Sequence, residues 1–230
     1  MQFGLPTLGE GAIKKGTKRR RQHEKHFECE ADFDPYVIPS FMSSVDQLIG
    51  SNEFERQAGT FHVSVDNSTL ASLINGHAQL WGAHYRPILS RAISAIIKIL
   101  GIGWTPHPIA ADPISWVPRE QNFVADRLST FTMKRKSSWH QKFEFLSDLR
   151  SWCVECYSDG GKRGNVGAGA WVILAVRETE FQILEAGGVF LDDPTATAFA
   201  TEMIAPDAAL SRLGVVLQDF GFGCSSENLT

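Results

Sequence analysis

Four acidic residues stand where the sequence predicts that strands end or helices begin. Asp66 and Asp159 each follow a strand-like run and precede small or polar turn residues, whereas Asp126 and Glu202 lie near the starts of predicted helices. Carboxylates in such positions can converge on one edge of a sheet, where they repel one another unless cations hold them. Hard oxygen ligands suit Mg²⁺, with Mn²⁺ as the alternative ion, and two ions about 4 Å apart clamp a phosphodiester for attack by water.

Each of these residues also has an ordinary explanation when it is considered alone. An Asp at a helix start is typically a cap, and an Asp at a strand end is typically a turn residue. The interpretation as a metal site therefore depends on the four residues occurring together in one sequence context.

Hydrophobic periodicity indicates which elements position these side chains. Strands are predicted over 60–67, 114–117, 153–158, 168–176 and 181–190, and helices over 68–76, 88–100, 122–133 and 198–213, with a further helix up to Arg150 and a short one after Pro39. One half runs strand–helix–helix–strand–helix, and the other runs through three consecutive strands and a helix. Together they predict an α/β layered fold.

The bulk composition is that of a globular protein with an ordinary core. The chain is 43% hydrophobic and 21% charged, and its net charge of −4 argues against a uniformly basic nucleic-acid binder. Phosphate affinity depends on local basic patches instead. The run over 14–25 holds seven Lys/Arg, and it is a solvated arm, a nuclear-localisation signal or a phosphate-binding arm.

The four cysteines favour a reducing compartment. Cys153 and Cys156 have the spacing of a redox or half-zinc motif, but no second close Cys/His pair completes a metal site. Structural cysteines are therefore the favoured interpretation. The sequence shows no secretory signal and no apolar run long enough to span a bilayer, so we expect an intracellular protein, cytoplasmic or nuclear, without a membrane partner.

The motifs around the carboxylates resemble those of the ribonuclease H family, especially its retroelement and plant-like branch. "YSDGGKRGNVGAGAW" (157–171) is similar to the family's first strand and hairpin, and "TATAFATEMIAPDAAL" (195–210) to its first helix. "VSVDNSTLASLING" (63–76) resembles the fourth strand with the following helix, and "VPREQNFVADRLS" (117–129) the last strand-to-helix junction. The resemblance covers over half the chain.

The resemblance implies a catalytic site and a substrate. Asp159, Glu202, Asp66 and Asp126 match the family's four carboxylates, which hold two Mg²⁺ ions and hydrolyse the RNA strand of an RNA–DNA hybrid. Asn165 matches a position that contacts the minor groove, although a turn residue tolerating positive φ is an equal interpretation. The expected phosphate contacts are Lys162, Arg163, Lys134, Arg135 and Lys136.

The order of the motifs is reversed relative to the family, which predicts a circularly permuted ribonuclease H-like fold with a mixed sheet flanked by helices. The alternative is a chain that spans the end of one copy and the start of another. We expect one permuted domain, because neither half alone has a closed core. The predicted segments are an N-terminal extension (1–58), the C-terminal half of the fold (59–134), a linker (135–152), the N-terminal half (153–214) and a tail (215–230).

Several residues depart from the family pattern. Trp116 stands where a His is common, with His107 in the preceding loop as a substitute, and Ala198 and Phe199 replace residues that contact RNA 2′-hydroxyls. Pro206 interrupts the first helix unless the helix restarts there. These departures motivate an alternative function, a catalytically silent retroelement-derived fold that binds nucleic acid.

Two further assignments stay open from the residues alone. Asp219 follows "VVLQ" and competes with Asp66 as the third carboxylate, although the Gly-rich sequence after it is a poor helix start. The tryptophans are core residues or stacking surfaces for a base or sugar, and the core is favoured for each. They are Trp81, Trp104, Trp116 and Trp171.

Overall fold

Segments whose apolar residues alternate form strands, and segments whose apolar residues recur every three or four positions form helices, as predicted from the sequence. The computed structural model describes residues 39–51, 56–80, 82–108, 112–145, 147–178 and 180–221. The basic run over 14–25, Trp81, Cys29 and Cys224 lie outside the described residues. The helices and strands are α1 (Pro39–Ser51), β1 (Thr60–Val65), α2 (Ser68–Ile74), α3 (Arg86–Gly101), β2 (Thr105–Pro106), β3 (Ile114–Trp116), α4 (Phe123–Arg135), β4 (Trp139–Lys142), β5 (Cys153–Arg163), β6 (Val166–Arg177), β7 (Glu180–Leu191) and α5 (Ala198–Gly221).

The strands form one mixed sheet in the order β2-β1-β5-β6-β7-β4, and β3 pairs with β1 beyond the end of β2. The β1 strand is parallel to β2, β3 and β5, whereas β5, β6, β7 and β4 are antiparallel to one another. Strands from the first and second halves of the sequence therefore meet at the β1–β5 pair. The predicted α/β architecture with helices flanking a mixed sheet is confirmed.

Helices cover both faces of the sheet because each face is apolar. One core lies under α2, α3 and α5, and its largest buried side chains include Phe61, Trp104 and Ile173. The other core lies under α1 and α4, and it includes Leu48, Leu128 and Tyr157. The helix expected after Pro39 is thus present as α1, and it packs against α4.

The expected helix up to Arg150 was wrong. The segment 135–152 contains the edge strand β4, antiparallel to β7, and a 3₁₀ turn at Leu149–Ser151. The aromatic ring of Trp139 explains the strand, because it packs edge-to-face on Phe131 and donates a 2.8 Å hydrogen bond to Thr132 Oγ1. A segment expected to be a linker therefore closes one edge of the sheet.

Helix α5 continues through Pro206 and ends at Gly221, well beyond the predicted end at 213. An interior proline costs about 3 kcal/mol, since it removes a helical N–H and crowds the preceding turn. Burial along the same helix offsets this cost, because Ala205, Leu210 and Leu213 are fully buried against the sheet. Val216 and Leu217 extend the buried face into part of the expected tail.

The two described cysteines are core residues. Burial raises the pKa of the Cys153 thiol to about 12 and raises that of Cys156 as well, so neither supplies a thiolate at neutral pH. This agrees with the structural interpretation of the pair. Among the helices that the structure describes, none is long and apolar enough to cross a membrane.

Candidate functional site

Asp66 and Asp159 lie side by side because β1 and β5 are parallel and in register. The last register pair joins Val65 to Ser158, and Asp66 directly follows β1. Asp159 was expected to end its strand, but β5 continues past it to Arg163 because residues 159–163 pair with β6. Parallel strands bring their carboxyl ends to the same edge of a sheet. Two carboxylates from opposite halves of the sequence thereby become neighbours.

The Asp159 carboxyl is 6% exposed and has its own hydrogen-bond donor, Ser129 Oγ in α4, 3.0 Å from Oδ2. Burial is the largest cause that raises its pKa to about 8, and the charges of Asp66 and Asp126 and a hydrogen bond with Asp66 contribute to the same rise. The Ser129 hydrogen bond opposes these effects. Asp159 is therefore largely protonated at neutral pH.

Glycines in the β5–β6 hairpin let α5 approach the strands directly. A Cβ atom on Gly160 would lie 2.2 Å from the Thr201 carbonyl oxygen, and one on Gly169 would lie 2.9 Å from the Ala205 backbone. This close contact places Glu202 beside the end of β1 and the Asp159–Gly160 part of β5. Glu202, Asp66, Asp159 and Pro206 line the same small cavity.

Asn67 connects Glu202 to β1. Its side-chain amide donates to Glu202 Oε2, while its Oδ1 accepts a 3.0 Å hydrogen bond from Leu70 N and caps α2. Burial raises the pKa of Glu202, and the charge of Asp66 adds to the rise, whereas the Asn67 hydrogen bond lowers it.

Asp126 lies in the first turn of α4 and pairs with Arg119, which is in the 3₁₀ turn just before that helix. The start of α4 is fixed to β5 by Asn122, whose Nδ2 donates to Ser158 O at 2.9 Å. We call the four residues Asp66, Asp126, Asp159 and Glu202 the acidic site. These four carboxylates lie near the point where the parallel pairing of β1 with β5 stops.

Asp219 is not part of the acidic site. It lies near the C-terminal end of α5, where it is 51% exposed and pairs with Lys142 of β4 at 3.2 Å. His107 is also elsewhere: it is buried, and its backbone N–H donates to Phe61 O near the start of β1. Neither residue substitutes at the site in this structure.

The donor set of the acidic site fits a hard divalent cation. It offers carboxylate oxygens alone, and the charges of Asp66 and Asp126 act on the buried Asp159, so that a cation among them would relieve their repulsion. The buried Ser158 Oγ, at the same cavity, has no hydrogen-bond partner among the described residues. Within the part of the chain that the structure describes, however, no three such side chains are arranged to hold a metal ion, and both Asp126 and Glu202 are turned toward protein partners.

The predicted nucleic-acid contacts fall into two groups. Asn165 and Arg163 are exposed at the β5–β6 turn, where the positive φ belongs to Gly164 and not to Asn165. Lys134, Arg135 and Lys136 are exposed at the end of α4. Lys162 has another role, since its ammonium donates to the carbonyls of Pro194 and Ala196 ahead of α5.

Trp116 differs from the other described tryptophans. Trp104 and Trp171 are core residues, but Trp116 is 53% exposed, and its Nε1 donates to the Asp66 carbonyl oxygen at 3.1 Å. Its ring therefore forms an exposed aromatic surface at the rim of the acidic site. Phe199, at the start of α5, packs edge-to-face on Tyr85 instead.

Four residues of the site were not identified as such from the sequence. Ser129, Asn67 and Arg119 each contact one of the carboxylates, and Asn122 anchors the helix that carries Asp126. Asn67 was detectable as an N-cap signal three residues before Leu70. The other contacts depend on which helix lies against which strand end, and a single sequence carries no signal of that.

Replacing Gly160 by alanine is expected to lower the free energy of unfolding by about 1–3 kcal/mol, because the new methyl group overlaps the α5 backbone. Gly161→Ala is the matched control, since its Cβ would meet only the Met133 methyl at an ordinary 3.5 Å. Urea unfolding of the two variants measures the difference. Equal stability of the two would show that α5 does not need the glycine at 160.

Comparisons of the chain with protein-family models, with curated proteins and with solved structures gave no match.

Proposed function

We propose that this chain is a metal-dependent endonuclease that hydrolyses the RNA strand of RNA–DNA hybrids. The observation that carries the proposal is the buried Asp159 beside the half-buried Asp66, at the point where the parallel pairing of β1 with β5 stops, with Glu202 and Asp126 close by. Burying a carboxyl next to like charges destabilises the fold, and perturbed groups of this kind concentrate at functional sites.

We also propose that the fold is a circularly permuted ribonuclease H fold. Three observations support this: the antiparallel β5-β6-β7 run is followed by α5, the first-half strand β1 joins it in parallel at β5, and α4 follows β3. The resemblance in sequence assigns the same elements to the family's first strands, first helix, fourth strand and last helix.

The acidic site would hold Mg²⁺ through Asp66, Asp159, Glu202 and Asp126, with Mn²⁺ as the alternative ion. Bound there, the metal lowers the pKa of an attacking water and stabilises charge developing on the phosphate. The protein residues set the ligands in place: Ser129 orients Asp159, the α2 cap residue Asn67 orients Glu202, and Asn122 fixes the start of α4.

The surface around the acidic site supports a nucleic-acid substrate. Exposed Asn165 and Arg163 stand at one end of the β5–β6 hairpin, and the Trp116 ring stands at the rim of the carboxylates. A base or sugar stacks on such a ring, and base–aromatic stacking contributes about 1–3 kcal/mol per base. The ring sits at the position where the family's His is common, and stacking on the substrate is the contact that we propose for it.

The test is cleavage of a labelled RNA–DNA duplex with Mg²⁺ or with EDTA, comparing wild type with Asp66→Asn. We expect Mg²⁺-dependent cleavage by wild type and a loss of about 10³-fold or more in the variant, because a metal ligand is gone while the shape is kept. Asp219→Asn is the matched control, as this carboxylate lies outside the acidic site. Equal rates for wild type and Asp66→Asn would refute the proposal.

A second candidate is a catalytically silent fold that binds nucleic acid. It is favoured by the protein partners of two carboxylates, Arg119 on Asp126 and Asn67 on Glu202, which hold both away from a shared centre. The same duplex separates the candidates: binding in EDTA without cleavage in Mg²⁺ or Mn²⁺ supports the silent fold.

A further inference from the structure

Among the described residues, Arg119 is a cation that pairs directly with the acidic site, and the local backbone sets its position. It lies in the 3₁₀ turn Arg119–Gln121, directly before α4, and its guanidinium pairs with Asp126 in the first turn of that helix. Its side chain is 62% exposed, while that of Asp126 is 35% exposed. The pair therefore lies at a solvent-accessible side of the site.

The guanidinium acts on more than its hydrogen-bonded partner. The pKa of Arg119 is raised by the hydrogen bond and charge of Asp126, and also by the charges of Asp159 and Asp66. The charge of Arg119 in turn lowers the pKa of Glu202. One arginine thus interacts electrostatically with all four carboxylates.

A divalent cation and Arg119 compete for the same oxygens. A carboxylate that binds a hard cation turns its oxygens toward that ion, and the positive charge of the ion repels the guanidinium. The guanidinium then forms its hydrogen bonds with another anion or with water. At the rim of an acidic site, the anion that a nucleic acid brings is a phosphate, and the planar guanidinium matches phosphate with two parallel hydrogen bonds.

We propose that Arg119 changes partner during binding: it neutralises Asp126 in the cation-free protein, and it is released by a divalent cation to bind a backbone phosphate of the nucleic acid. The inference rests on the proposed function, because it needs a cation in the acidic site. Arg119 is thus a substrate-positioning residue whose availability depends on the metal.

Release of the arginine is measured by titrating Mg²⁺ alone into ¹⁵N-labelled protein at pH 8.5 and following the arginine Nε–Hε signals. The Arg119 signal is identified by its loss in Arg119→Lys. We expect it to shift and exchange faster with water as Mg²⁺ binds. Isothermal titration should show Mg²⁺ binding roughly threefold to tenfold tighter in Arg119→Gln, because the competing cation is gone.

Arg177→Gln is the matched control for the affinity measurement. It also removes one positive charge, but Arg177 lies at the far end of β6 and pairs with Glu180. Its Mg²⁺ affinity should equal that of wild type. An equal gain in both variants would show a general charge effect and overturn the partner exchange.

The phosphate contact is measured by the affinity for a labelled RNA–DNA duplex, with Ca²⁺ and with EDTA. Arg119→Gln should weaken binding roughly fivefold more with Ca²⁺ than with EDTA, because the arginine is released only in the first case. Equal weakening in both would overturn the inference.

The failures of the two proposals are distinguishable. If Mg²⁺ binds and the Arg119 signal stays unmoved, the partner exchange is refuted while the metal site stands. If wild type binds no Mg²⁺ at all, the metal-dependent function is refuted and the exchange with it.

Discussion

Asp159→Asn is expected to abolish cleavage of the hybrid and, at alkaline pH, to make the folded protein more stable. The amide keeps the shape of the carboxyl and its hydrogen bonding to Ser129, but it removes a charge that is buried beside Asp66. Loss of a metal ligand should lower the cleavage rate about 10³-fold or more. Function and stability thus change in opposite directions.

The stability effect has a defined dependence on pH. Because the pKa of Asp159 is about 8 in the folded protein against 3.8 ordinarily, the folded state holds this proton more tightly than the unfolded chain does. The resulting stabilisation is complete below pH 3.8, declines as the pH rises toward 8, and is lost above that value. Wild type should therefore lose several kcal/mol between pH 5 and pH 9 that the asparagine variant keeps.

Urea unfolding in EDTA at pH 5, pH 7 and pH 9 measures this difference. The gap between Asp159→Asn and wild type should widen with pH, and added Mg²⁺ should narrow it at pH 9 by stabilising wild type alone. Asp219→Asn, on the exposed end of α5, should follow wild type throughout. A gap independent of pH would show that the buried carboxyl is not the source.

Arg212→Met is expected to lower the free energy of unfolding by about 3–5 kcal/mol, because it leaves a buried carboxylate without its main partner. Glu185 is fully buried in β7, and Arg212 of α5 donates to both of its oxygens at 2.7 and 2.8 Å. His140 of β4 lies 3.0 Å from Oε1, and Trp171 Nε1 lies 3.4 Å from the same oxygen.

Two comparisons isolate the cause of that loss. Lys142→Met breaks an exposed pair with Asp219 and should cost less than about 1 kcal/mol. Adding Glu185→Leu to Arg212→Met should restore most of the stability, since the unpaired charge is then gone. If the double variant stays as unstable as Arg212→Met, packing of the arginine stem and not the charge would account for the loss.

The sequence was sufficient to predict the α/β architecture and the carboxylates that come together. Asp66 and Asp159 were found because strand-like runs with a following turn are local patterns, and local patterns survive in a single sequence. The motifs around these residues then assigned the two halves of the sequence to one fold. Whether the two aspartates lie close together depends on the order of the strands in the sheet, which was predicted from the family resemblance and not from hydrophobic periodicity.

Other features depend on contacts between distant elements. The sequence "WHQK" has polar residues in a short basic region, so nothing local predicted β4, which is fixed by Trp139 packing on Phe131 and by pairing with β7. Lys162 was expected to bind phosphate, but the carbonyls ahead of α5 lie within its reach. Likewise, Arg119 was overlooked because its importance comes from the charges around it.

The parallel pairing of β1 with β5 also bears on how the protein comes to fold. Its partners lie in opposite halves of the sequence, so a large loop must close before the pair forms, and contacts of this kind slow folding. During synthesis β1, α2, α3 and α4 leave the ribosome long before β5 is available. The segment from β1 to α4 is therefore synthesised before β5, the strand with which β1 pairs. The acidic site is complete only when α5, which carries Glu202, packs on the β5–β6 hairpin.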